Sequence, residues 1–454
     1  MPEDLKVLVF DPGARGHVIS DAYERSHRVR KIIVAPGNDF IGFYRHKEVV
    51  VDENCDLKNL DSMLAIAKKY RPDLIDVAQD DAIASGVGDI LREHGFVVFC
   101  PSRVAAQIEW DKKWSREFMI RHRIPTPQFN AFSSTRIAER FVDEFYGENP
   151  YDARSDALYV KAAGLAEGKG ALRATSYQEA VACIRRMSWF GEAGRTFLIE
   201  RGLSGEEFSY TVMADGTGVY HAFKPAQDYK LALPFDEGDQ TGGMGCIART
   251  HVIEPLSRAE IEQELVIKAL DGMVAEGRPY IGILYVGGMK VRDESVSSGY
   301  KPYCIEFNSR WGDPEAQVVL PGVSNYAELA IATVEGRLGQ KVIIEDALYR
   351  VCLVGATRGY PRDYHAALGK RIYGLKEAIN CPFVEIFGAG IKMEGRKFYT
   401  NGGRLFSVVG RGPDLLRAYE RALTAMSRIY IEGNNLQWRT DIGWQDRDML
   451  LRSL

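Results

Sequence analysis

Apolar positions along the first hundred residues fall into two alternating rhythms. Short apolar runs, Lys6 to Phe10, Lys31 to Ala35, Val49 to Val51, Leu74 to Val77 and Val97 to Cys100, read as strands. Between them, Val18 to Ser26, Asn59 to Tyr70 and Ala84 to His94 have helical periodicity. Such alternation predicts a parallel α/β sheet with its ligand loops at the strand C-termini. Val104 to His122 then reads as helical until Ile124-Pro125-Thr126-Pro127 breaks the pattern. A strand-like start and a helix follow over Phe129 to Phe145, then an exposed loop from Gly147 to Asp156. Further strands are expected at Leu158 to Lys161, Thr196 to Glu200 and Gly205 to Val212. Beyond them come a helix from Ser257 to Glu276, a strand pair over Ile281 to Tyr285 and Gly287 to Val291, and a strand from Pro302 to Asn308. From Asp346 onward, Arg350 to Ala356, Val384 to Ala389, Ile391 to Met393, Lys397 to Tyr399 and Arg404 to Gly410 predict a β-rich region closed by a helix, Asp414 to Ile429.

Length changes this picture first, because 454 residues exceed one hydrophobic core and suggest about three domains. With 46% hydrophobic and 26% charged residues the chain has an ordinary globular composition. A net charge of -4 gives no basic footprint for nucleic acid. Cysteines at 55, 100, 183, 246, 304, 352 and 381 are odd in number and lack CxxC spacing, which argues for a reducing compartment and against zinc. The chain enters a strand pattern at once and no apolar run reaches about 18 residues, so a cytoplasmic protein without a membrane partner is expected.

The chemistry centres on Lys301 to Glu315, KPYCIEFNSRWGDPE. Side chains two apart on a strand share a face, so Glu306 and Asn308 point one way while Ile305 and Phe307 pack behind. Hard oxygen ligands on a strand suit Mg²⁺, and Arg310, of the same parity, adds an anion-pairing guanidinium. The same residues also suit an edge strand with a polar outer face. Lys161 ends a strand before the glycine-rich Gly164 to Gly170, an arrangement that can hold phosphates or simply form a flexible hairpin with solvated lysines. Thr241-Gly242-Gly243-Met244-Gly245 permits close backbone approach to a ligand. Near the N-terminus, Asp11-Pro12-Gly13-Ala14-Arg15-Gly16-His17 turns from strand to helix, where backbone N–H groups favour an anion.

Taken in order, VKAAGLAEGKG, IERGLSGEEFS, AQDYK, TGGMG and EFNSRWGDPEAQ resemble the motifs of ATP-grasp ligases, most closely the phosphoribosylamine-glycine ligase family. VAPGN near the start and TNGGRLFSVVGRG and WRTDIG near the end extend the likeness over nearly the whole chain. The resemblance implies an N-terminal α/β domain over 1–115, an ATP-grasp lid and first half over 116–200, a second half with the metal site over 201–345, and a C-terminal β-rich domain over 346–454. It implies ATP contacts at Lys112, Lys161, Gly168, Lys169, Gly170 and Glu200, with Glu206 or Glu207 on the ribose, and Glu306 and Asn308 as ligands of Mg²⁺ or Mn²⁺. Arg310, Asp228 and Lys230 would be catalytic, with Asp228 near the ammonium of glycine and Arg310 near its carboxylate. Gly13, Arg15, His17, Asp80, Gly242, Gly243, Asp313 and Glu315 would bind substrate, the turn from Gly13 to His17 taking the 5-phosphate or ribose of phosphoribosylamine. Such an enzyme works as a monomer or weak homodimer on small molecules.

Three stretches depart from the family pattern. Gly13-Ala14-Arg15-Gly16-His17 stands for G-G-R-E-H, Ala78-Gln79-Asp80 for G-P-E, and Asp111-Lys112 for Ser-Lys. The first two lie where the amine is expected. On sequence alone, a ligase with another amine or amino acid and a nucleotide-binding regulator without catalysis therefore stay open.

Overall fold

The computed structural model describes residues 4–43, 46–148, 157–166, 169–254, 256 and 258–452. Five parallel strands form the N-terminal sheet, in the spatial order Glu48–Val51, Val29–Pro36, Leu5–Asp11, Leu74–Val77 and Val98–Phe99. The first helix, Ala14–Glu24, begins four residues before the sequence pattern does, because Asp11 caps its start. The predicted helix Ala84 to His94 is two helices, Asp80–Ser85 and Val87–Glu93, divided at Gly86 with φ 89°. Asp111 likewise divides Gln107–Trp110 from Lys112–Arg121, its carboxylate accepting from Trp114 N at 3.0 Å as an N-cap.

Beyond the prolines lies a four-stranded antiparallel sheet, ordered Phe129–Phe132, Phe197–Arg201, Leu158–Ala162 and Ala171–Ala174. Helices Thr135–Glu148 and Tyr177–Arg186 accompany it, with Ala138, Val142, Ala180 and Ile184 buried against the strands. Most of the expected loop from Gly147 to Asp156 falls outside the described residues.

The largest sheet has ten strands and crosses the boundary expected near residue 346. Along it run Tyr300–Asn308, Ile281–Arg292, Gly205–Asp215, Ala226–Asp228, Gly245–Ala248, Tyr349–Thr357, Arg404–Gly412 and Val384–Gly388. Gly245–Ala248 pairs directly with Tyr349–Thr357, so the β-rich C-terminal region continues the same sheet. Ile281–Arg292 is one strand of 12 residues, not the expected pair, since Gly287 and Gly288 stay in register with Ser209 and Phe208 of the neighbouring strand. Helix Leu415–Met426 covers the C-terminal part through Leu415, Ala418, Ala422 and Ala425. No helix among the described residues is long and apolar enough to cross a membrane.

Candidate functional site

Strand Tyr300–Asn308 carries the centre of the site, and it is bulged. Gly287 lies opposite Glu306 while Gly288 lies opposite Cys304, leaving Ile305 as an extra residue. Both glycines are required here: a Cβ at 288 would stand 2.3 Å from the Phe208 ring, and one at 287 would stand 3.0 Å from Glu306 Cγ. Simple alternation puts Ile305 with Phe307 in the core. The bulge instead brings Ile305 to the wall of a cavity beside Glu306 and Asn308, a wall that Phe307 also reaches from its place in the core.

That cavity measures about 420 Å³ and gathers side chains from every part of the fold. Arg15 and Asp80 come from the first turns of helices that follow strands of the N-terminal sheet, Lys112 and Arg116 from the divided helix, Lys161 and Glu200 from the four-stranded sheet, and Arg404 from the C-terminal region. A second cavity of about 270 Å³ shares Arg15, Gln79, Asp313 and Arg404 with it and adds Asp11, Gly13 and Ala14.

On the side of the four-stranded sheet, Glu200 is 2% exposed and accepts from Arg116 Nε at 2.7 Å, Arg116 Nη2 at 2.9 Å and Lys161 Nζ at 2.7 Å. Burial raises its pKa, but Arg116 and Lys161 outweigh burial and hold it at about 2. Glu200 is thus the fixed anion that positions two cations. Lys112 Nζ donates to the Gly164 carbonyl at 3.1 Å, and burial lowers its pKa. Gly170 lines the cavity, Lys169 is exposed and off its wall, and Gly168 lies outside the described residues.

Glu206 and Glu207 lie on opposite faces of Gly205–Asp215, as strand parity requires. Glu207 lies 3.4 Å from Lys230, which lines the cavity, whereas Glu206 pairs at 2.5 Å with Lys290 on the other face. Lys230 also lies 3.7 Å from Glu306 Oε1. Burial works against an ionised Glu306, yet Lys230, Lys161 and Lys112 bring its pKa to about 2. No cluster of three His, Cys, Asp or Glu able to cage a metal occurs among the described residues. An ionised Glu306 beside Asn308 nevertheless fits a hard divalent cation that takes its other ligands from phosphates and water.

Asp228 is the unsatisfied carboxylate of the cavity wall among the described residues. Its Oδ1 is buried without a hydrogen-bond partner, and burial, reinforced by Glu315, pushes its pKa well above the carboxylate range. Glu315 accepts from Ser209 Oγ and Tyr285 Oη, both at 2.8 Å. Gly242 lines the cavity and Gly243 sits against Asp228 and Pro314. Arg310 lies with Nε 3.1 Å from Glu109 Oε1, out of line for a hydrogen bond, and donates from Nη1 to Trp311 O at 3.2 Å. Burial opposes its charge, and Glu109 and Asp80 more than restore it.

Around the second cavity, Arg15 donates from Nε to Asp11 at 2.7 Å, and Arg404 donates to the Asp313 carbonyl and carboxylate, both at 2.7 Å. Sequence reasoning missed Arg404, Asp11, Glu109 and Arg116. Arg404 lies within TNGGRLFSVVGRG, but nothing local joins it to Asp313, 91 positions away. His17, expected on substrate, lines neither cavity. It is 4% exposed, packs against Phe40 and Phe387, and accepts at Nδ1 from Gly388 N at 2.9 Å, joining the first helix to the C-terminal strand Val384–Gly388.

Comparison with known proteins finds three family models matched in order along the chain. The N domain of phosphoribosylglycinamide synthetase matches residues 5–109, its ATP-grasp (A) domain residues 110–316, and its C domain residues 350–445. The phosphoribosylamine-glycine ligase of Haemophilus influenzae is 33% identical over 97% of this chain and 98% of its own length. The human trifunctional purine biosynthetic protein adenosine-3 is 34% identical over 97% of this chain, which spans 42% of that protein. The crystal structure of the Thermotoga maritima phosphoribosylamine-glycine ligase superposes with a TM-score of 0.75 at 26% identity, covering 96% of this chain and 100% of that one. The chain belongs to the phosphoribosylglycinamide synthetase family.

Proposed function

We infer that this chain is an ATP-dependent ligase of purine biosynthesis that joins glycine to 5-phosphoribosylamine, giving glycinamide ribonucleotide, ADP and phosphate. The observation that supports this reading best is Asp228. A buried carboxylate oxygen without a partner, in a cavity that also holds Arg310 and four lysines, fits the ammonium of an amino acid. Arg310 is within the same wall to pair with the carboxylate end.

A carboxylate is a poor acyl donor because oxide would have to leave. The glycine carboxylate oxygen therefore attacks the γ-phosphorus of ATP, ADP leaves, and glycyl phosphate forms. The amine nitrogen then attacks the acyl carbon, phosphate leaves with the bonding pair, and the nitrogen loses its proton. Charge spreads over phosphoryl oxygens in the first step, so fixed cations rather than a nucleophilic side chain carry the catalysis. Lys112 and Lys161 meet the nucleotide phosphates, and Glu207 rather than Glu206 lies on the site side of its strand for a ribose contact. Mg²⁺, held by Glu306 and Asn308, supplies neutralising charge to those phosphates when bound. Lys230, between Glu207 and Glu306, and Arg310 meet the transferring group. We take residues 116–200 to hold the lid and the first half of the ATP-grasp unit, with the lid, around Gly164 to Gly170, excluding water from the acyl phosphate. Asp313, Glu315, Gly242, Gly243 and Asp80 frame the passage toward the second cavity, where Arg15 and Arg404 receive the amine substrate.

ADP release across a panel of amino acids, with and without phosphoribosylamine, tests this assignment. Release should require glycine and phosphoribosylamine together. Turnover with another amine in place of phosphoribosylamine would reassign the acceptor, and no amine-dependent release at all would overturn the reading.

A further inference from the structure

The turn before the first helix is already filled by a side chain of this protein. Asp11, 1% exposed, ends strand Leu5–Asp11 and lays its carboxylate over the helix start. Oδ1 accepts from Gly13 N at 2.7 Å and Gly16 N at 2.9 Å, while Oδ2 accepts from Arg15 Nε at 2.7 Å. Arg15 Nη1 reaches the Trp311 carbonyl at 3.3 Å, in the loop after the strand that carries Glu306. The guanidinium therefore stands in the wall between the two cavities.

This arrangement changes what the turn can bind. A strand, a glycine turn and a helix start ordinarily offer backbone N–H groups to a phosphate. Here two of those donors already serve a carboxylate, and a second anion would be repelled by it. Gly16 is part of the same device: a Cβ there would stand 2.7 Å from Asp11 Cβ and 2.9 Å from its Oδ1. The glutamate of the family pattern at this position has no room while Asp11 is present.

We propose that Asp11 is a positioning residue for the amine substrate. It closes the turn to anions and fixes Arg15, so that the guanidinium rather than the backbone N–H groups of Gly13 and Gly16 meets the phosphate of phosphoribosylamine. Gly16 is the companion that makes room for Asp11. The proposal rests on the reading of the amine as a phosphoribosyl compound.

Asp11→Asn separates the two tasks of this side chain. Its Oδ1 still accepts from both backbone N–H groups, but an NH₂ donor now faces Arg15 Nε. Steady-state kinetics of the full chain should show the KM for phosphoribosylamine raised about tenfold, with the KM for glycine within about twofold of the starting value. Combined with Arg15→Ala, Asp11→Asn should add nothing further, since it acts through Arg15. An unchanged amine KM in Asp11→Asn, or additive effects in the pair, would overturn the proposal. Gly16→Ala supplies a readout independent of activity: it should lower the thermal midpoint more in the natural background than in Asp11→Gly, where only the backbone carbonyl of residue 11, 3.0 Å from the added Cβ, is still met. Equal losses in both backgrounds would remove the coupling. Absence of amine-dependent ADP release in the unaltered chain would count instead against the ligase reading, which the stability comparison does not require.

Discussion

The side of the cavity proposed for the nucleotide and the side proposed for the amine are built on different plans. Around Glu200, Lys161 and Arg116 a buried anion is outnumbered by cations, and every member stands on a strand or helix of the middle of the chain. Around Asp11, Arg15, Asp313 and Arg404 charges pair one to one, and the members come from the first strand, the helix after it, the loop after Asn308 and the strand Arg404–Gly412. A site that meets the triphosphate needs surplus positive charge in place before its ligand arrives. A site that selects one amine needs a shape and a pattern of partners, which parts from distant segments can vary separately.

The largest effect should come from the group that serves the triphosphate. Glu306→Ala should lower kcat by about a thousandfold or more, because it removes the only carboxylate beside Asn308 on that strand. A thermal melt should find the fold intact, since the side chain faces the cavity. Near-normal ADP release by this variant at ordinary magnesium concentrations would collapse the distinction between the two sides. An intermediate effect belongs to Asp228, between them. Burial and Glu315 raise its pKa and an arriving ammonium favours the ionised form, so glycine binding should be accompanied by proton release and tighten as pH rises. Calorimetry in two buffers of different ionisation enthalpy reads that proton directly. Proton uptake, or a glycine KM unaffected by Asp228→Asn where about a hundredfold rise is expected, would place the ammonium elsewhere.

The smallest effect concerns the support of the amine side. Asp76, 3% exposed, accepts from Tyr23 Oη at 2.9 Å and Tyr326 Oη at 3.1 Å, and Tyr326 Oη accepts from the Trp311 indole at 3.2 Å. Burial, outweighing the two tyrosine hydroxyls, pushes the Asp76 pKa up to about 7; Asp11 also raises it and Arg15 lowers it. The folded state therefore holds this proton more tightly than the unfolded chain, whose aspartates titrate near about 4. Stability from this group is complete below about pH 4 and is lost as pH rises to about 7. Asp76→Asn cannot ionise, so denaturation at pH 5 and pH 8 should show the variant gaining on the natural chain by on the order of 2 kcal/mol. Parallel curves for the two proteins would remove Asp76 as the source.

What the sequence discloses about the site follows the same division. Glu306 and Asn308 could be read because they are two apart on one strand, where parity alone puts them together. The choice between Glu206 and Glu207 could be framed but not made, since it depends on which face of the strand meets the cavity. Ile305 was misplaced because a bulge adds a residue without any local sign. The register shifts opposite Gly287 and Gly288, residues that open the second strand of the expected pair. Asp11 was hidden for a similar reason: an aspartate before Pro-Gly looks like an ordinary turn residue, and only the folded turn shows its carboxylate over Gly13 and Gly16. The strands of the N-terminal sheet were legible throughout, because continuous apolar runs between helices leave few other arrangements.

The continuity of the large sheet has a mechanical meaning. With Gly245–Ala248 hydrogen-bonded along Tyr349–Thr357, the floor that bears Asp228 and Glu306 and the arm that bears Arg404 form a single girder. Bending it between those points would break backbone ladders, so the spacing of these groups is held by hydrogen bonds rather than by a docking interface that could slide. The family's C domain in this chain is in that sense a fixed wall of the reaction chamber.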